Sequence, residues 1–125
     1  AQKAYPDKRV LIVYGDGSFG LNGFEYDTAV RFGLPIVGVV GNDAAWGQMM
    51  RPQGMLYGED RLIAVELNRT RYDKVVEALG GHGEHVTEPE NIAPAIARAF
   101  ASGKPALVNV EIRQDRGEMK GSTYV

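Results

Sequence analysis

The chain has 125 residues, a formal net charge of −2 and no cysteine. That length suits one domain, the slightly acidic balance argues against nucleic acid as a partner, and the lack of cysteine excludes a disulfide framework, a thiolate metal site and a cysteine nucleophile. No apolar run reaches the ~18–20 residues of a membrane span and no signal-peptide pattern opens the sequence, a combination expected of a cytoplasmic protein without a membrane partner.

AQKAYPDKR (1–9) reads as the end of a helix running into a turn. RVLIVYG (Arg9–Gly15), continuously apolar and rich in β-branched residues, predicts a strand buried on both faces, as in a parallel sheet. A helix follows from near Ser18, its inward face predicted from Leu21, Phe24, Thr28 and Phe32 and its end from Gly33 and Pro35. PIVGVVGN (Pro35–Asn42) is a second buried strand, which completes a βαβ unit with a right-handed crossover. Asp43–Arg61 has no clear period and contains Pro52; it reads as an irregular loop, or a short helix broken by the proline, of a length often kept for function.

TRYDKVVEALGG then puts Tyr72, Val75, Val76 and Leu79 on one helical face, with Thr70 as N-cap and Gly80–Gly81 as the stop. GEHVTE is a short strand, with His82 and His85 solvated or structural. Thr87-Glu88-Pro89-Glu90 has the form of a capping box ahead of a helix carrying Ile92, Ile96, Ala99 and Phe100 inward. PALVNVEI (Pro105–Ile112) is the last strand. The order β-α-β-loop-α-β-α-β predicts an α/β fold, an open doubly wound parallel sheet over residues 1–112, followed by a polar tail over 113–125.

In such sheets ligands bind outside the carboxyl ends of the strands, where GDGS (15–18) and GNDAAW (41–46) both fall. Gly15, Gly17 and Gly20 have the G-x-G-x-x-G spacing of a dinucleotide turn, and Asp43 is placed to take a ribose hydroxyl. Asp16 conflicts with that reading. A carboxylate ~4 Å from a pyrophosphate charge is repelled by about 4 kcal/mol at an effective dielectric of ~20. A divalent cation removes the conflict: Mg²⁺ takes one or two protein oxygens together with substrate phosphates. Asp16 and Asn42, at the ends of two successive strands, can supply those oxygens, while the helix start near Ser18 adds N–H donors.

Gly15-Asp16-Gly17, 24 intervening residues and then Asn42 resemble the thiamine diphosphate motif, GDG followed at a similar interval by NN. From about Tyr5 to Ile112 the chain is similar to the C-terminal, diphosphate-binding domain of the acetolactate synthase, benzaldehyde lyase, oxalyl-CoA decarboxylase and 2-hydroxyacyl-CoA lyase group. The resemblance implies thiamine diphosphate and Mg²⁺ as cofactors. It makes Asp16 and Asn42 side-chain metal ligands, adds the backbone carbonyl of Ala44 as a third, and brings Gly15, Gly17 and Ser18 to the diphosphate. Trp46 either packs in the core or an interface or lines the cofactor pocket. Met49, Met50 and Met55 are packing filler ahead of a substrate-pocket edge.

Two positions depart from the motif. Asp43 stands where the motif has its second Asn, and is read as the N-cap of a short helix ahead of an Asn substitute or a ribose ligand. Pro52 stands where acetolactate synthases have a Trp, and Trp46-Gly47 is closer to the benzaldehyde lyase and acyl-CoA lyase branch. The family's catalytic Glu comes from the pyrimidine-binding domain of the same or a second subunit, so no catalytic residue is assigned in this chain, and Glu25 lies at the wrong end of the cofactor. The resemblance thus implies a partial domain lacking its N-terminal part, with no turnover alone, in a homodimer or homotetramer. The whole enzyme would act on a 2-keto acid, 2-hydroxy ketone or 2-hydroxyacyl-CoA as lyase, carboligase or decarboxylase. Arg113, Arg116 and Lys120 could meet coenzyme A phosphates, although their alternation with Asp115 and Glu118 favours a solvated tail. The alternatives are an NAD or FAD dinucleotide-binding domain and a non-catalytic assembly or regulatory domain.

Overall fold

The computed structural model describes residues 1–114. Its elements in chain order are β1 (Leu11–Gly15), α1 (Asp16–Asn22), α2 (Glu25–Arg31), β2 (Val37–Asn42), α3 (Gly47–Tyr57), α4 (Tyr72–Ala78), β3 (His82–Val86), α5 (Ile92–Ala101) and β4 (Ala106–Glu111), with 3₁₀ turns at Glu59–Arg61 and Pro89–Asn91. The four strands are parallel in the order β1-β2-β4-β3. Strand alternation divides the core. Val37, Val108 and Val110 pack with Ala95 and Ala99 of α5 on one face, while Val40 and Leu107 pack with Phe19, Tyr26 and Val76 from α1, α2 and α4 on the other. Helices on both faces make the sheet doubly wound, as the sequence predicts. Each buried Val or Leu contributes about 1.5–3 kcal/mol through apolar burial. The arrangement brings the carboxyl ends of β1, β2 and β4 side by side, with Gly15 opposite Gly41 and Asn42 opposite Glu111.

Several local expectations are corrected. Among the described residues β1 stands at the edge of the sheet, and Leu11, Ile12 and Val13 are 47%, 39% and 72% exposed, where the sequence predicts burial on both faces. An apolar run reports affinity for a sheet but not the strand's place within it. The single helix predicted over 21–32 is two, α1 and α2, because the chain breaks at Gly23 and Phe24. The buried face is also the opposite one: Phe19, Gly23, Tyr26 and Ala29, 4, 3 and 3 residues apart, turn inward, while Leu21, Phe24 and Phe32 face outward. Asp43–Arg61 is mostly helix, and α3 runs through Pro52. The proline removes one N–H, but the ends are held by the N–H groups of Met49 and Met50 on the Trp46 carbonyl and of Gly58 on the Gly54 carbonyl.

The predicted caps do not form. Arg71 occupies the N-cap position of α4 and Trp46 that of α3, neither with a side-chain cap, so Thr70 and Asp43 do not cap. The capping box at Thr87 is replaced by the 3₁₀ turn Pro89–Asn91. α5 does bury the expected face, with Ile92, Ile96, Ala99 and Phe100 on the sheet. His82 and His85 are structural, paired at 2.9 Å with Glu84 and Glu111.

Gly38 on β2 leaves room for a partly buried hydroxyl pair, Tyr14 and Tyr26, hydrogen-bonded at 2.8 Å. A Cβ at residue 38 would run into the Tyr26 hydroxyl and lie 2.7 Å from that of Tyr14. Gly38→Ala is therefore expected to destabilise the fold by about 1–3 kcal/mol, and adding Tyr26→Phe should return part of the loss. Urea unfolding of the single and double variants checks this; equal stability of Gly38→Ala and wild type would refute it.

Candidate functional site

Asp16 ends the first βα turn and is 1% exposed. Its Oδ1 accepts a hydrogen bond from the Gly17 N–H at 2.9 Å, while its buried Oδ2 has no hydrogen-bond partner. Burial pushes the carboxyl above the ordinary range. The N–H groups of Gly17, Ala44 and Ala45 pull it back in part, and the nearby Asp43 charge pushes it further up. Asp16 thus lies against the second turn, Asn42–Ala45, as the sequence requires.

In that turn Asn42 is also 1% exposed. Its Oδ1 receives only a long contact from the Ala44 N–H, 3.3 Å, and its Nδ2 donates to the Thr70 carbonyl at 3.0 Å and to Asn109 Oδ1 at 3.2 Å. Ala44 has a left-handed backbone, φ 59°, at a cost of roughly 1–2 kcal/mol. Its carbonyl accepts from the Leu67 N–H at 2.8 Å, and a carbonyl has a second lone pair to offer.

The donor set is therefore one unsatisfied carboxylate oxygen, one amide oxygen and one carbonyl. All are hard oxygens, which suits Mg²⁺. Among the described residues no group of three or more His, Cys, Asp or Glu could hold a metal ion; the rest of an octahedral Mg²⁺ shell would come from water and from phosphate oxygens. A diphosphate supplies the latter, and the negative Asp43 beside Asp16 adds to the field that favours a cation.

Gly17 lies under the Trp46 ring. A Cβ there would approach ring atoms to 3.2–3.5 Å, so only glycine leaves the ring and the turn undisturbed. Trp46 is half-buried and packs with Ala45, Met50 and Val65, so it is both a core residue and a wall of the GDG turn. Gly20, by contrast, has nothing within 4 Å of an added Cβ. The third glycine of a dinucleotide fingerprint permits close helix–strand packing, and Gly20 has no such role. Gly15 and Ser18 are exposed at the turn. Ser18 opens toward an apolar cavity of about 310 Å³ bounded by Ile12, Tyr14 and Tyr26. A second apolar cavity of about 350 Å³ lies beside Trp46, walled by Met49, Leu56 and Ile63. Met50 is buried packing and Met55 is exposed. Arg116 and Lys120 lie outside the described residues.

The residues that motif reading missed stand behind Asn42. Asn109, in the middle of β4, donates to the Thr70 carbonyl and to Asp73 Oδ1, both at 3.2 Å. Arg71 grips Asp73 through two bonds of 2.9 and 2.6 Å. Arg69 donates to the backbone carbonyls of Asn42 and Ile112 at 2.9 and 3.0 Å. The signal in the sequence was a polar residue inside an apolar run: Asn109 in LVNV, and Asp73 beside the inward face of α4.

In metal-free protein the raised Asp16 value has a consequence of defined sign. A carboxyl whose folded value lies above its unfolded one contributes stability at low pH that is lost as pH rises through the folded value. The stability of protein kept in EDTA should therefore fall with rising pH across that window, and Asp16→Asn should remove this part of the slope. Melting temperatures at a series of pH values check it; an unchanged slope in Asp16→Asn would refute it.

A Mycobacterium bovis protein named probable acetolactate synthase is 50% identical over 111 residues, covering 88% of this chain and 20% of that protein. The Caenorhabditis elegans 2-hydroxyacyl-CoA lyase 2 is 42% identical over 118 residues, covering 90% and 18%. The chain thus spans about a fifth of the length of the curated relatives it matches. The solved thiamine diphosphate-dependent 4-hydroxybenzoylformate decarboxylase of Rhodococcus jostii shares the fold with a TM-score of 0.82 at 24% identity, over 94% of this chain and 22% of that one. Residues 1–110 match the family model described as "Thiamine pyrophosphate enzyme, C-terminal TPP binding domain", and with the two-turn oxygen cradle carried on that fold, the chain belongs to the thiamine pyrophosphate enzyme family as its cofactor-binding domain.

Proposed function

We propose that this chain anchors the diphosphate of thiamine diphosphate through Mg²⁺, within an enzyme that makes or breaks a C–C bond next to a carbonyl. The observation that carries the reading is the buried, partnerless Oδ2 of Asp16 beside the Asn42–Ala44 turn. Asp16, Asn42 Oδ1 and the Ala44 carbonyl would hold the cation, and Gly15, Gly17 and Ser18 would leave the first turn open to the diphosphate. Trp46 walls the turn and excludes water from one side. Bound thiamine diphosphate supplies a carbon nucleophile that adds to carbonyls and stores the electrons of the broken bond.

The chain's own groups would position and desolvate; among the described residues none is placed to move a proton. A Glu from a pyrimidine-binding domain, of the same or a second subunit, would complete the site and imply a homodimer or homotetramer. The apolar cavity beside Trp46 suits the carbon chain of a 2-keto acid, 2-hydroxy ketone or 2-hydroxyacyl-CoA. Relatives named acetolactate synthase and 2-hydroxyacyl-CoA lyase fall in that range.

A thermal-shift titration of the full protein with thiamine diphosphate tests the reading. At ~100 times its Kd the cofactor should stabilise by about 2.7 kcal/mol, with Mg²⁺ but not with EDTA, and Asp16→Asn should abolish the shift. NAD should give none. Stabilisation by thiamine diphosphate that ignores both EDTA and Asp16→Asn would overturn the assignment of the metal site; no stabilisation at all would overturn the cofactor.

A further inference from the structure

Behind Asn42 lies a run of buried polar groups that apolar packing does not explain. Asn42, Asp73 and Asn109 are 1%, 1% and 0% exposed. Asn109 is flanked on β4 by Leu107, Val108 and Val110, all buried. Nothing in the apolar packing of β4 calls for an amide there; what holds it is its bonds to Asn42, Asp73 and the Thr70 carbonyl.

The network has a direction. Burial pushes the Asp73 carboxyl up, but the hydrogen bonds from Arg71 and Asn109 outweigh it and hold the group below its usual range. An ionised carboxylate only accepts hydrogen bonds, so Asn109 must turn its Nδ2 toward Asp73, at 3.2 Å. The same Nδ2 donates to the Thr70 carbonyl, another pure acceptor. An amide that points its nitrogen one way points its oxygen the other, and Asn109 Oδ1 therefore faces Asn42. Asn42 must in turn present its Nδ2, which donates both to Asn109 Oδ1 and to the Thr70 carbonyl. Its Oδ1 is left directed at the Ala44 turn. A flipped Asn42 would bring its oxygen against two acceptors and its NH₂ toward the cation.

The geometry points to Asp73, Asn109 and the Thr70 carbonyl as a directional lock that fixes the side-chain amide of Asn42, so that its oxygen and never its nitrogen faces the metal. Asn109 and Asp73 are then positioning residues. This rests on the reading of Asn42 as a ligand of the diphosphate-bound cation.

The test uses Mn²⁺, visible by electron paramagnetic resonance, as a substitute for Mg²⁺ in the full protein with thiamine diphosphate present. Free Mn²⁺ gives the affinity directly, without turnover, and metal-free melting temperatures report the fold. Asn109→Leu should bind Mn²⁺ about 10–100-fold more weakly while still unfolding cooperatively without metal, its metal-free melting temperature lowered by the few degrees expected of a lost buried partner. Asn42→Asp in that background should recover affinity, because a carboxylate presents oxygen whichever way it turns. With the lock intact, Asn42→Asp alone sets its second oxygen against Thr70 and Asn109 and should bind more weakly than the double variant.

A merely structural role predicts additive losses, with the double variant weakest, and that result would overturn the lock, as would wild-type affinity in Asn109→Leu. If Asn109→Leu does not fold, Asp73→Asn carries the same comparison at constant volume, with the same rescue by Asn42→Asp expected and the same additive outcome counting against it. Wild type that takes up no Mn²⁺ with thiamine diphosphate would instead remove the cofactor reading on which the lock rests.

Discussion

The structure is organised around a carboxylate oxygen that is buried and has no partner. Leaving a buried acceptor unsatisfied costs about 1–3 kcal/mol, more when it is charged, and the protein has the means to avoid that cost close at hand. Arg69 and Arg71 both lie at the carboxyl edge of the sheet. Arg69 is committed to the carbonyls of Asn42 and Ile112, and Arg71 to Asp73. Among the described residues neither they nor any lysine pairs with Asp16. With those cations engaged elsewhere and Asp43 in the same corner, the field at Asp16 is one that the proposed cation would relieve. On the reading proposed above this is the physical content of the GDG turn: an aspartate that would repel a bare diphosphate would accept one carried on a cation.

The sheet order makes this corner possible. Because β4 inserts between β2 and β3, Asn109 sits next to β2 on the face that carries α4, within reach of Asn42 and Asp73 together. Were the strands laid down in chain order, β3 would stand beside β2 and the amide of Asn42 would meet a different neighbour. The crossover that skips one place and returns is thus part of the site's construction, although it contributes no atom to the ligand set.

Much of this was legible in the sequence, for definable reasons. The β-branched runs at 9–15, 35–42 and 105–112 predict strands because burial in a parallel sheet demands uninterrupted apolar character, and the spacing from Gly15-Asp16-Gly17 to Asn42 reports two turns at one sheet edge. What failed was information that depends on partners or phase. Leu11, Ile12 and Val13 read as buried because composition does not distinguish an edge strand from a central one. Leu21, Phe24 and Phe32 read as the inward face because their spacing fits a helix as well as that of Phe19, Tyr26 and Ala29 does, and a periodicity count cannot say which of two apolar faces meets the sheet. Pro52 read as a helix breaker because the sequence does not show that the next residue, Gln53, is tied to the Ile63 backbone by two hydrogen bonds. Asn109 and Asp73 were passed over because each looks, in one dimension, like a stray polar residue; their meaning arises only when residues 42, 73 and 109 are brought together.

The second turn completes the account, because its geometry is imposed from outside. Ala44 is held at φ 59° without being glycine, a conformation that costs roughly 1–2 kcal/mol and that a free loop would relax. It persists because residues 65–67 run antiparallel to it. Ala45 bridges Glu66, the Trp46 N–H bonds the Val65 carbonyl at 2.8 Å, and the Leu67 N–H bonds the Ala44 carbonyl at 2.8 Å. The buried Val65, packed with Ala45 and Met50, pins that strap to the core. The strain at Ala44 is therefore sustained by apolar packing more than 20 residues downstream in the chain, and the carbonyl it directs is fixed before any ion arrives. The first turn supplies charge with little freedom to move it, the second supplies oxygens with their orientation already set, and an ion entering between them has little of the protein left to reorganise.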